Sequence, residues 1–499
     1  MYTSSNTIKY TFAILLFIYF ILIVQPWNLY FLNDDFVHIP LSEKTIWVHF
    51  QFFRPVANII TSVEVKLFGT NPVGFHITSI LLHLIITYYV GILCKLLINK
   101  YGDPLKYRHA AYAAGCIFFI YPFHSEPIMW IIGRISMIAT LFIILCIIFF
   151  LKRSKRVYFY SLSIAAFILA LFSYEIAWVV PGFITLFTII DHYKIKKDFR
   201  KNVLYVIPFW ILLGLFLLVR YLMLQQLLTE YELLGRNMSL SSFIANFFRL
   251  FARTLAPPTE NTVTFIALFL VLALCLFGLI IFIIKSKSIK TVHILLASFL
   301  VVSYIPTIPL GIDTHGSEGE RYLYLPSVFW ILLFTLCVFE LRDQMCRIVF
   351  CGVMLIYAFL FASAAGNYKH ASVVAKNILS LIPDQSRFKK LVAVNLPSNY
   401  KGAMIYRSGF KEAIQWIYPN SGIDSVIVIA AKRTYKKIIL PFKTLEQDEL
   451  PNDAIGSLKI DNVHHVLSFD NYSVTYNSKK DLLIFFNITG KGMILYPEP

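Results

Sequence analysis

Long apolar runs recur along the chain and restrict the folds that it can adopt. Several of them approach or exceed the roughly 20 residues that an α-helix needs to cross the hydrocarbon core of a bilayer. The first run, residues 11–24, is too long and too aromatic for a signal peptide, and no small-residue cleavage site follows it. Because 58% of the residues are hydrophobic, a water-soluble fold could not cover its own surface. The sequence therefore predicts a polytopic α-helical membrane protein.

The spacing of these runs predicts about eleven transmembrane helices. The fifth and sixth nearly touch at the sequence SYEIAW, which is typical of a tight helical hairpin. The approximate limits of the expected helices are residues 10–30, 76–97, 109–123, 127–151, 157–174, 176–190, 203–224, 263–284, 291–310, 322–340 and 347–366.

The distribution of basic residues predicts the orientation of these helices. With the N-terminus in the cytoplasm, the inner loops hold more than twice as many Lys and Arg residues as the outer loops, although the outer loops are longer in total. This bias accounts for the net charge of +17 without any nucleic-acid partner. An odd number of spans then places the C-terminal segment on the exported side. We expect a bacterial inner membrane as the location.

The polar residues that stand out lie in outer loops or at outer helix ends under this orientation. A transporter or flippase would be expected to keep its charges near the bilayer midplane. The pattern instead favours a reaction site at the outer membrane surface. The residues are Asp34, Asp35, Arg54, His124, Glu126, Glu175, Asp313, His315, Glu318, Glu320 and Arg321.

Two of the outer segments are themselves patterned. Residues 44–68 and 238–256 each have a broad aromatic face, which is typical of amphipathic helices that lie in the membrane interface. Both belong to an expected catalytic transmembrane domain over residues 1–366, whose large outer loops are 31–75, 225–262 and 311–322.

Beyond residue 366 the character of the sequence changes. Residues 372–382 and 403–418 predict short helices. The runs SVIVIA, KKIILPF, HHVLSF, YSVTY, LLIFFNI and GMILY are β-branched and aromatic, and turn residues separate them. Residues 367–499 are therefore expected to form a small exported α+β domain that is rich in strands.

The seven cysteines lie in or beside apolar runs, and none forms a CxxC pair. The chain is therefore expected to have neither a disulfide framework nor a thiolate metal site.

Three polar segments carry a distinctive pattern in a fixed order. The first is DDFVHI followed by FRPVANIITSVEVKLFGTNPVGFHITSILLHLI, the second is YPFHSEPIMWIIGRISMIATLF, and the third is GERYLYLPSVFWILL. Together they resemble the GT-C membrane glycosyltransferases, in particular the protein O-mannosyltransferase branch and its relatives with C-terminal tetratricopeptide repeats. The matching positions are Asp34, Asp35, Arg54, Pro55, Gly69, Pro72, Gly74, His76, His83, Pro122, His124, Glu126, Gly133, Arg134, Glu320, Arg321, Tyr324, Pro326 and Ser327.

The resemblance implies sugar transfer from a polyprenyl-phosphate carrier to an acceptor on the outer face. Such a reaction needs a base for the acceptor hydroxyl and cations for the leaving phosphate. The resemblance assigns the base to Asp34, the first residue of the acidic pair. Asp35 would tune or orient it. The alternative for this pair is a helix N-cap.

Two arginines are candidates for binding the donor phosphate. Arg134 lies about 12 Å along a helix from Glu126, so it is expected below the outer surface. A charge at that depth requires a partner, which could be a lipid phosphate, Glu126 or Glu175. Arg321 stands at the outer start of another span and fits bidentate phosphate binding. The alternative for both arginines is a structural ion pair.

Further polar residues are candidates for binding sugar or acceptor hydroxyls. The Gly-rich loop DTHGSEGER could also order over bound substrate, as lids do. No compact metal motif is present, so no cofactor is expected to be obligatory, although a divalent metal remains possible. The candidate substrate-binding residues are Arg54, His76, His124, Glu126, Glu175, His315, Glu318 and Glu320.

The acceptor is left open between a polysaccharide, a lipid and a protein, because the C-terminal segment lacks the repeats of the resembling proteins. Two other classes of function are also open. One is a transporter or flippase of lipid-linked saccharide, and the other is a non-catalytic membrane assembly factor. Within the enzyme interpretation, an oligosaccharide ligase or polymerase is an alternative.

Overall fold

A computed structural model describes residues 2–195, 203–226, 238–285, 290–382 and 388–429, and seven strands between residues 437 and 496. The chain forms two compact units. The first comprises Met1–Pro26, Ser42–Leu67 and Gly74–Gly366. The second comprises Trp27–Leu41, Phe68–Val73 and Asn367–Pro499. The beginning of the loop over 31–75, which the sequence assigned to the transmembrane domain, thus packs with the second unit.

The described part of the chain is mostly helical. Its helices are α1 (Tyr2–Val24), α2 (Asp35–Lys44), α3 (Pro55–Phe68), α4 (Pro72–Tyr101), α5 (Ala110–Phe119), α6 (Ser125–Met129), α7 (Ile135–Lys152), α8 (Tyr158–Leu171), α9 (Val180–Ile195), α10 (Ile207–Leu224), α11 (Leu240–Leu255), α12 (Thr262–Lys285), α13 (Thr291–Tyr304), α14 (Tyr324–Val338), α15 (Asp343–Leu379) and α16 (Phe410–Ile417).

Within the described residues, eight helical segments are long and apolar enough to cross a membrane. Three shorter apolar helices coincide with the remaining predicted spans. The polytopic helical fold class is therefore confirmed, whereas the count of eleven membrane crossings stays a prediction. The eight long segments are Tyr10–Asn28, Pro72–Tyr101, Ile132–Lys152, Glu175–Tyr193, Ile207–Leu224, Thr262–Ile281, Glu320–Val338 and Asp343–Leu379, and the three shorter ones are Ala110–Phe119, Tyr158–Leu171 and Thr291–Thr307.

The outer surface of the helices is apolar. Leu215 on α10, Leu274 on α12 and Leu355 on α15 are 52%, 68% and 73% exposed. In water this exposure would be unfavourable, but lipid tails are as apolar as leucine, so it costs little in a bilayer. The chain is an integral multi-pass membrane protein.

Charged side chains of the first unit cluster at opposite ends of its helices. At the end of α4, the Asp191 carboxylate accepts hydrogen bonds from Lys100 Nζ at 2.9 Å and from the Tyr101 hydroxyl at 2.7 Å. Arg153, just after α7, lies 3.8 Å from the same carboxylate. The start of α4 is about 45 Å away, given its 30 residues. The candidate site residues of this unit lie toward that other end.

The two predicted amphipathic segments have different outcomes. Residues 238–256 do form one helix, α11, which the Ser239 side chain caps by accepting a hydrogen bond from the Ser242 N–H. Residues 44–68 do not form one helix. A short hairpin pairs strand β1 (Val48–His49) with β2 (Phe52–Phe53), and α3 begins only at Pro55. A proline disfavours helical backbone in the residue before it, so Arg54 ends the extended segment.

The second unit contains two main sheets. In the first, strands β12 (Asp481–Phe486), β3 (Lys390–Val394) and β6 (Ser425–Ile429) are parallel, and β13 (Gly492–Tyr496) lies antiparallel on β12. The second sheet has the order β11-β10-β9-β7-β8, formed by Lys437–Ile439 (β7), Thr444–Leu445 (β8), Ser457–Asp461 (β9), Val466–Phe469 (β10) and Tyr472–Thr475 (β11). All six predicted runs contain strands, whereas β3, β8 and β9 in these two sheets were not anticipated.

Two helix predictions in this unit are wrong in their bounds. Residues 372–382 are not a separate helix, because most of them continue α15, which runs for 37 residues to Leu379. The helix predicted over 403–418 exists only in its second half. Ala403–Met404 forms strand β5, which pairs with β4 (Asn399–Tyr400), and α16 starts at Phe410. Gly409, with φ +78°, separates the two elements.

Candidate functional site

The HSEP and GER segments, which the sequence singled out separately, interlock in the first unit. Glu126 pairs with the Arg321 guanidinium and also accepts the Arg321 backbone N–H at 2.7 Å. Next to it, the Ser125 hydroxyl donates to Glu320 at 2.7 Å. His124 Nε2 lies 2.7 Å from the Ser327 hydroxyl. Three successive residues before α6 and within its first turn thus bind three residues just before α14 and within its first turn.

Arg253 on α11 completes this network. Its guanidinium donates to Glu320 at 2.7 Å and to the carbonyls of Asp313 and Ala256 at 3.0 and 2.7 Å. Arg253 and Glu320 are 0% and 1% exposed, so this pair is fully removed from solvent. This buried ion pair holds α11 and the segment before α14 in a fixed arrangement, because separating the two charges away from solvent would cost much free energy.

Arg54 and Glu175 form a second charged cluster. Arg54 Nη2 lies 2.8 Å from Glu175 Oε2, and Nε donates to the same oxygen at 3.1 Å. Arg220 on α10 approaches Glu175 Oε1 at 3.6 Å. The Arg54 guanidinium also stacks on the rings of Phe52 and Tyr174. Two guanidinium groups thus share the Glu175 carboxylate.

Arg134 has a different partner from those expected. Its guanidinium pairs with both carboxylate oxygens of Glu64 on α3, and Nη1 also donates to the Phe75 carbonyl at 3.3 Å. The Arg134 and Glu64 side chains are 2% and 5% exposed. The predicted partners Glu126 and Glu175 are paired elsewhere. The geometry favours the ion-pair interpretation of Arg134 over phosphate binding.

Histidines surround the interlocked segments. His83 Nδ1 lies 2.7 Å from the Tyr324 hydroxyl, and the His124 ring packs 4.4 Å from the Tyr324 ring. Burial holds the pKa of His124 well below its usual range, and the neighbouring His83 ring lowers it further. His124 is therefore neutral at pH 7. His76, the fifth residue of α4, is also buried.

Two further candidate residues, His315 and Glu318, lie on the Gly-rich loop DTHGSEGER. The His315 backbone N–H donates to the Asp313 carboxylate at 2.9 Å. The His315 ring nitrogen Nε2 lies 3.0 Å from the Thr262 hydroxyl. His315 is half exposed, and Glu318 is partly buried. No group of three or more His, Cys, Asp or Glu side chains within the described ranges has a geometry that could hold a metal ion.

Asp34 and Asp35 belong to the second unit and differ sharply in environment. Asp35 is fully buried in the first turn of α2, where its carboxylate accepts the Leu32 N–H at 2.9 Å. Asp34 precedes α2, and its carbonyl accepts the N–H of His38 at 2.9 Å. The Asp34 carboxylate is partly exposed and accepts a hydrogen bond from the Ser408 hydroxyl. The Asp35 carboxylate is therefore held in the turn before α2, whereas Asp34 retains an accessible carboxylate.

Sequence reasoning missed three charged residues that the fold brings into these clusters: Glu64, Arg220 and Arg253. One signal was available for Arg220, because it lies inside a predicted transmembrane run, where an ionisable residue calls for a partner. Glu64 and Arg253 lie on segments assigned to the membrane interface, where charges are ordinary. Only packing shows that both are buried.

Sequence similarity links the chain to a group of membrane enzymes, although no protein-family model matches it. The chain is 26% identical over 119 residues to the protein O-mannosyl-transferase TMTC1 of Homo sapiens, which covers 24% of this chain and 12% of that protein. It is 27% identical over 131 residues to the human protein O-mannosyl-transferase TMTC2, covering 26% and 14%. It is also 26% identical over 107 residues to the protein O-mannosyl-transferase F38B6.6 of Caenorhabditis elegans, covering 21% and 14%.

Among solved structures, the chain aligns with ArnT from Cupriavidus metallidurans. The apo crystal structure aligns with a TM-score of 0.47 and 11% identity over 85% of this chain and 89% of that chain. The structure of the same protein bound to undecaprenyl phosphate aligns with a TM-score of 0.45, 10% identity and coverage of 85% and 90%.

The fold and the charged clusters define a multi-pass helical membrane protein with buried polar networks at the ends of its helices. The sequence matches confirm that it resembles the GT-C glycosyltransferases of the protein O-mannosyltransferase branch. The matched segment spans only 12% to 14% of the length of the relatives above.

Proposed function

We propose that the chain is a membrane glycosyltransferase that moves a sugar from a polyprenyl-phosphate-linked donor to an acceptor on the non-cytoplasmic face. The acceptor is a polysaccharide, a lipid or a protein, and no nucleic acid takes part. The N-terminus is cytoplasmic and the C-terminal unit is exported, in a bacterial inner membrane. The names of the curated relatives, all protein O-mannosyl-transferases, support sugar transfer.

The contrast between the two adjacent aspartates carries the assignment of the general base. A base must reach the acceptor hydroxyl, so its carboxylate has to be accessible. Asp35 is buried and bound to the Leu32 N–H, whereas Asp34 is partly exposed. Asp34 is therefore the better candidate of the pair.

In the proposed reaction the acceptor oxygen attacks the anomeric carbon, and the bond from that carbon to the phosphate oxygen breaks. The acceptor proton passes to Asp34, and the leaving polyprenyl phosphate takes the bonding electrons. Arg321 is the phosphate candidate, because its side chain is 17% exposed while that of Arg134 is 2% exposed. The guanidinium groups of Arg54 and Arg220, which share Glu175, are a second source of cationic stabilisation.

The test uses the full chain purified into lipid nanodiscs. It is incubated with radiolabelled polyprenyl-phosphate mannose, glucose or arabinose and with envelope extract as the acceptor source. The Asp34→Asn variant keeps the size of the side chain but removes the base, so transfer should fall by about 10²–10⁴-fold. Asp35→Asn should cost less, because an amide oxygen can still accept the Leu32 N–H. Transfer is measured as label in the acceptor fraction.

Glu43→Gln is the matched control, since Glu43 is an exposed carboxylate on the same helix, α2. It should transfer at the parental rate. Parental activity in Asp34→Asn would remove the base assignment. Absence of transfer by the parental chain from every donor would remove the glycosyltransferase proposal.

A further inference from the structure

The loop before α16 wraps around the residue pair Asn33 and Asp34. The Asn33 backbone N–H donates to the Ile405 carbonyl at 2.8 Å. The Asn33 side-chain oxygen accepts the Ser408 N–H at 2.8 Å and the Ser408 hydroxyl at 3.2 Å. The same hydroxyl donates to Asp34 Oδ1. These residues are more than 370 positions apart in the sequence, and all belong to the second unit.

Close packing accompanies these hydrogen bonds. At Gly409 a Cβ atom would lie 2.7 Å from the Asn33 carbonyl oxygen and 3.0 Å from Val37, so only glycine permits this approach. The Phe36 ring stacks on Tyr406 at 5.5 Å, and the Phe31 ring packs on Trp416 at 4.9 Å. The contact is thus built from backbone, polar and aromatic groups together. The loop before α16 and the residues around Asn33 are therefore packed against each other within the second unit.

The Asp34 carboxylate is restrained on one side by this contact. Its Oδ1 accepts from Ser408, whereas its Oδ2 accepts no hydrogen bond from any of the described residues. A carboxylate with one oxygen fixed and the other accessible presents a defined lone pair to an incoming hydroxyl. Without that hydrogen bond the group would rotate among several rotamers, and fewer encounters would have the geometry that proton transfer requires.

We infer that Ser408 is a positioning residue for the Asp34 base, within the second unit. This inference rests on the proposed function. It gives residues 367–499 a role in the reaction itself, in contrast to an appended domain that only binds a partner. Ser408 touches neither donor nor acceptor in this scheme and acts through Asp34.

The test is steady-state kinetics of Ser408→Ala in the nanodisc assay. Loss of a hydrogen bond to a charged group should lower kcat by about tenfold to a hundredfold. The KM for the donor should stay at its parental value, because substrate binding is untouched. Ser408→Thr restores the hydroxyl and should recover most of the rate. Ser380→Ala, an exposed serine of the same unit, is the matched control and should have no effect.

A double-mutant cycle separates positioning from general destabilisation. In the Asp34→Asn background, Ser408→Ala should cause no further loss, because the base that it positions is already absent. Should Ser408→Ala fail to fold, Ser408→Cys keeps the shape but donates weakly and should show the same fall in kcat.

The outcomes are distinguishable from those of the functional proposal. A parental kcat in folded Ser408→Ala, with Asp34→Asn inactive, would overturn the positioning role alone. Additive losses in the double variant would also overturn it. Parental activity in Asp34→Asn would overturn the base assignment and this inference together.

Discussion

The pair between Glu64 and Arg134 illustrates the consequences of one buried contact. Removing a single partner of a buried ion pair typically costs about 3–5 kcal/mol, because the other charge is left without compensation. Removing both partners together is often neutral. Arg134 therefore offers a way to separate a structural role from a role in binding the donor.

We expect Arg134→Met to lower the stability of the protein by about 3–5 kcal/mol, since Glu64 would remain buried and unpaired. The double variant Glu64→Leu with Arg134→Met should recover most of this loss. Thermal unfolding of the single and double variants in the same detergent measures the loss of stability and its recovery. If the folded double variant no longer bound the polyprenyl-phosphate donor, Arg134 would have a phosphate role in addition to its ion pair.

We expect contrasting effects on stability from replacing two glycines, Gly409 and Gly352, with alanine. Gly409 precedes α16 with φ +78° and lies against the Asn33 backbone, so Gly409→Ala combines backbone strain with a steric clash. We expect a loss of about 1–3 kcal/mol and faster proteolysis of the loop before α16. A Cβ atom at Gly352, inside α15, would meet no other atom within 4 Å, so Gly352→Ala should be neutral or slightly stabilising. Equal effects of the two substitutions on thermal unfolding and proteolysis would contradict this account.

The distribution of Lys and Arg residues predicts the orientation of the whole molecule. Fusion of a reporter that is active only outside the cytoplasm, placed after Pro499, should give activity. The same reporter placed after Leu105, an exposed residue in a basic loop, should be inactive. A cytoplasmic location for the Pro499 fusion would overturn the odd number of spans, and with it the exported position of the second unit.

Much of the architecture followed from local sequence. Each apolar run forms a helix because its backbone satisfies its own hydrogen bonds and its side chains suit lipid, and neither property depends on distant residues. The strands β6, β7 and β10–β13 were predictable for a related reason, since β-branched and aromatic runs between turn residues define them. The helix predicted over 44–68 failed because its aromatic face also fits a hairpin, and Pro55 sets the start of α3.

The sequence alone determined the membrane fold and the three polar segments through which the chain resembles the protein O-mannosyltransferases. Only the tertiary structure decided which charges meet. Glu64 and Arg134 are 70 residues apart, Arg253 and Glu320 are 67 apart, and Asp34 and Ser408 are 374 apart. No local pattern specifies such partners, because burial selects them: a charge removed from solvent needs an opposite charge or a hydrogen-bond donor wherever packing provides one.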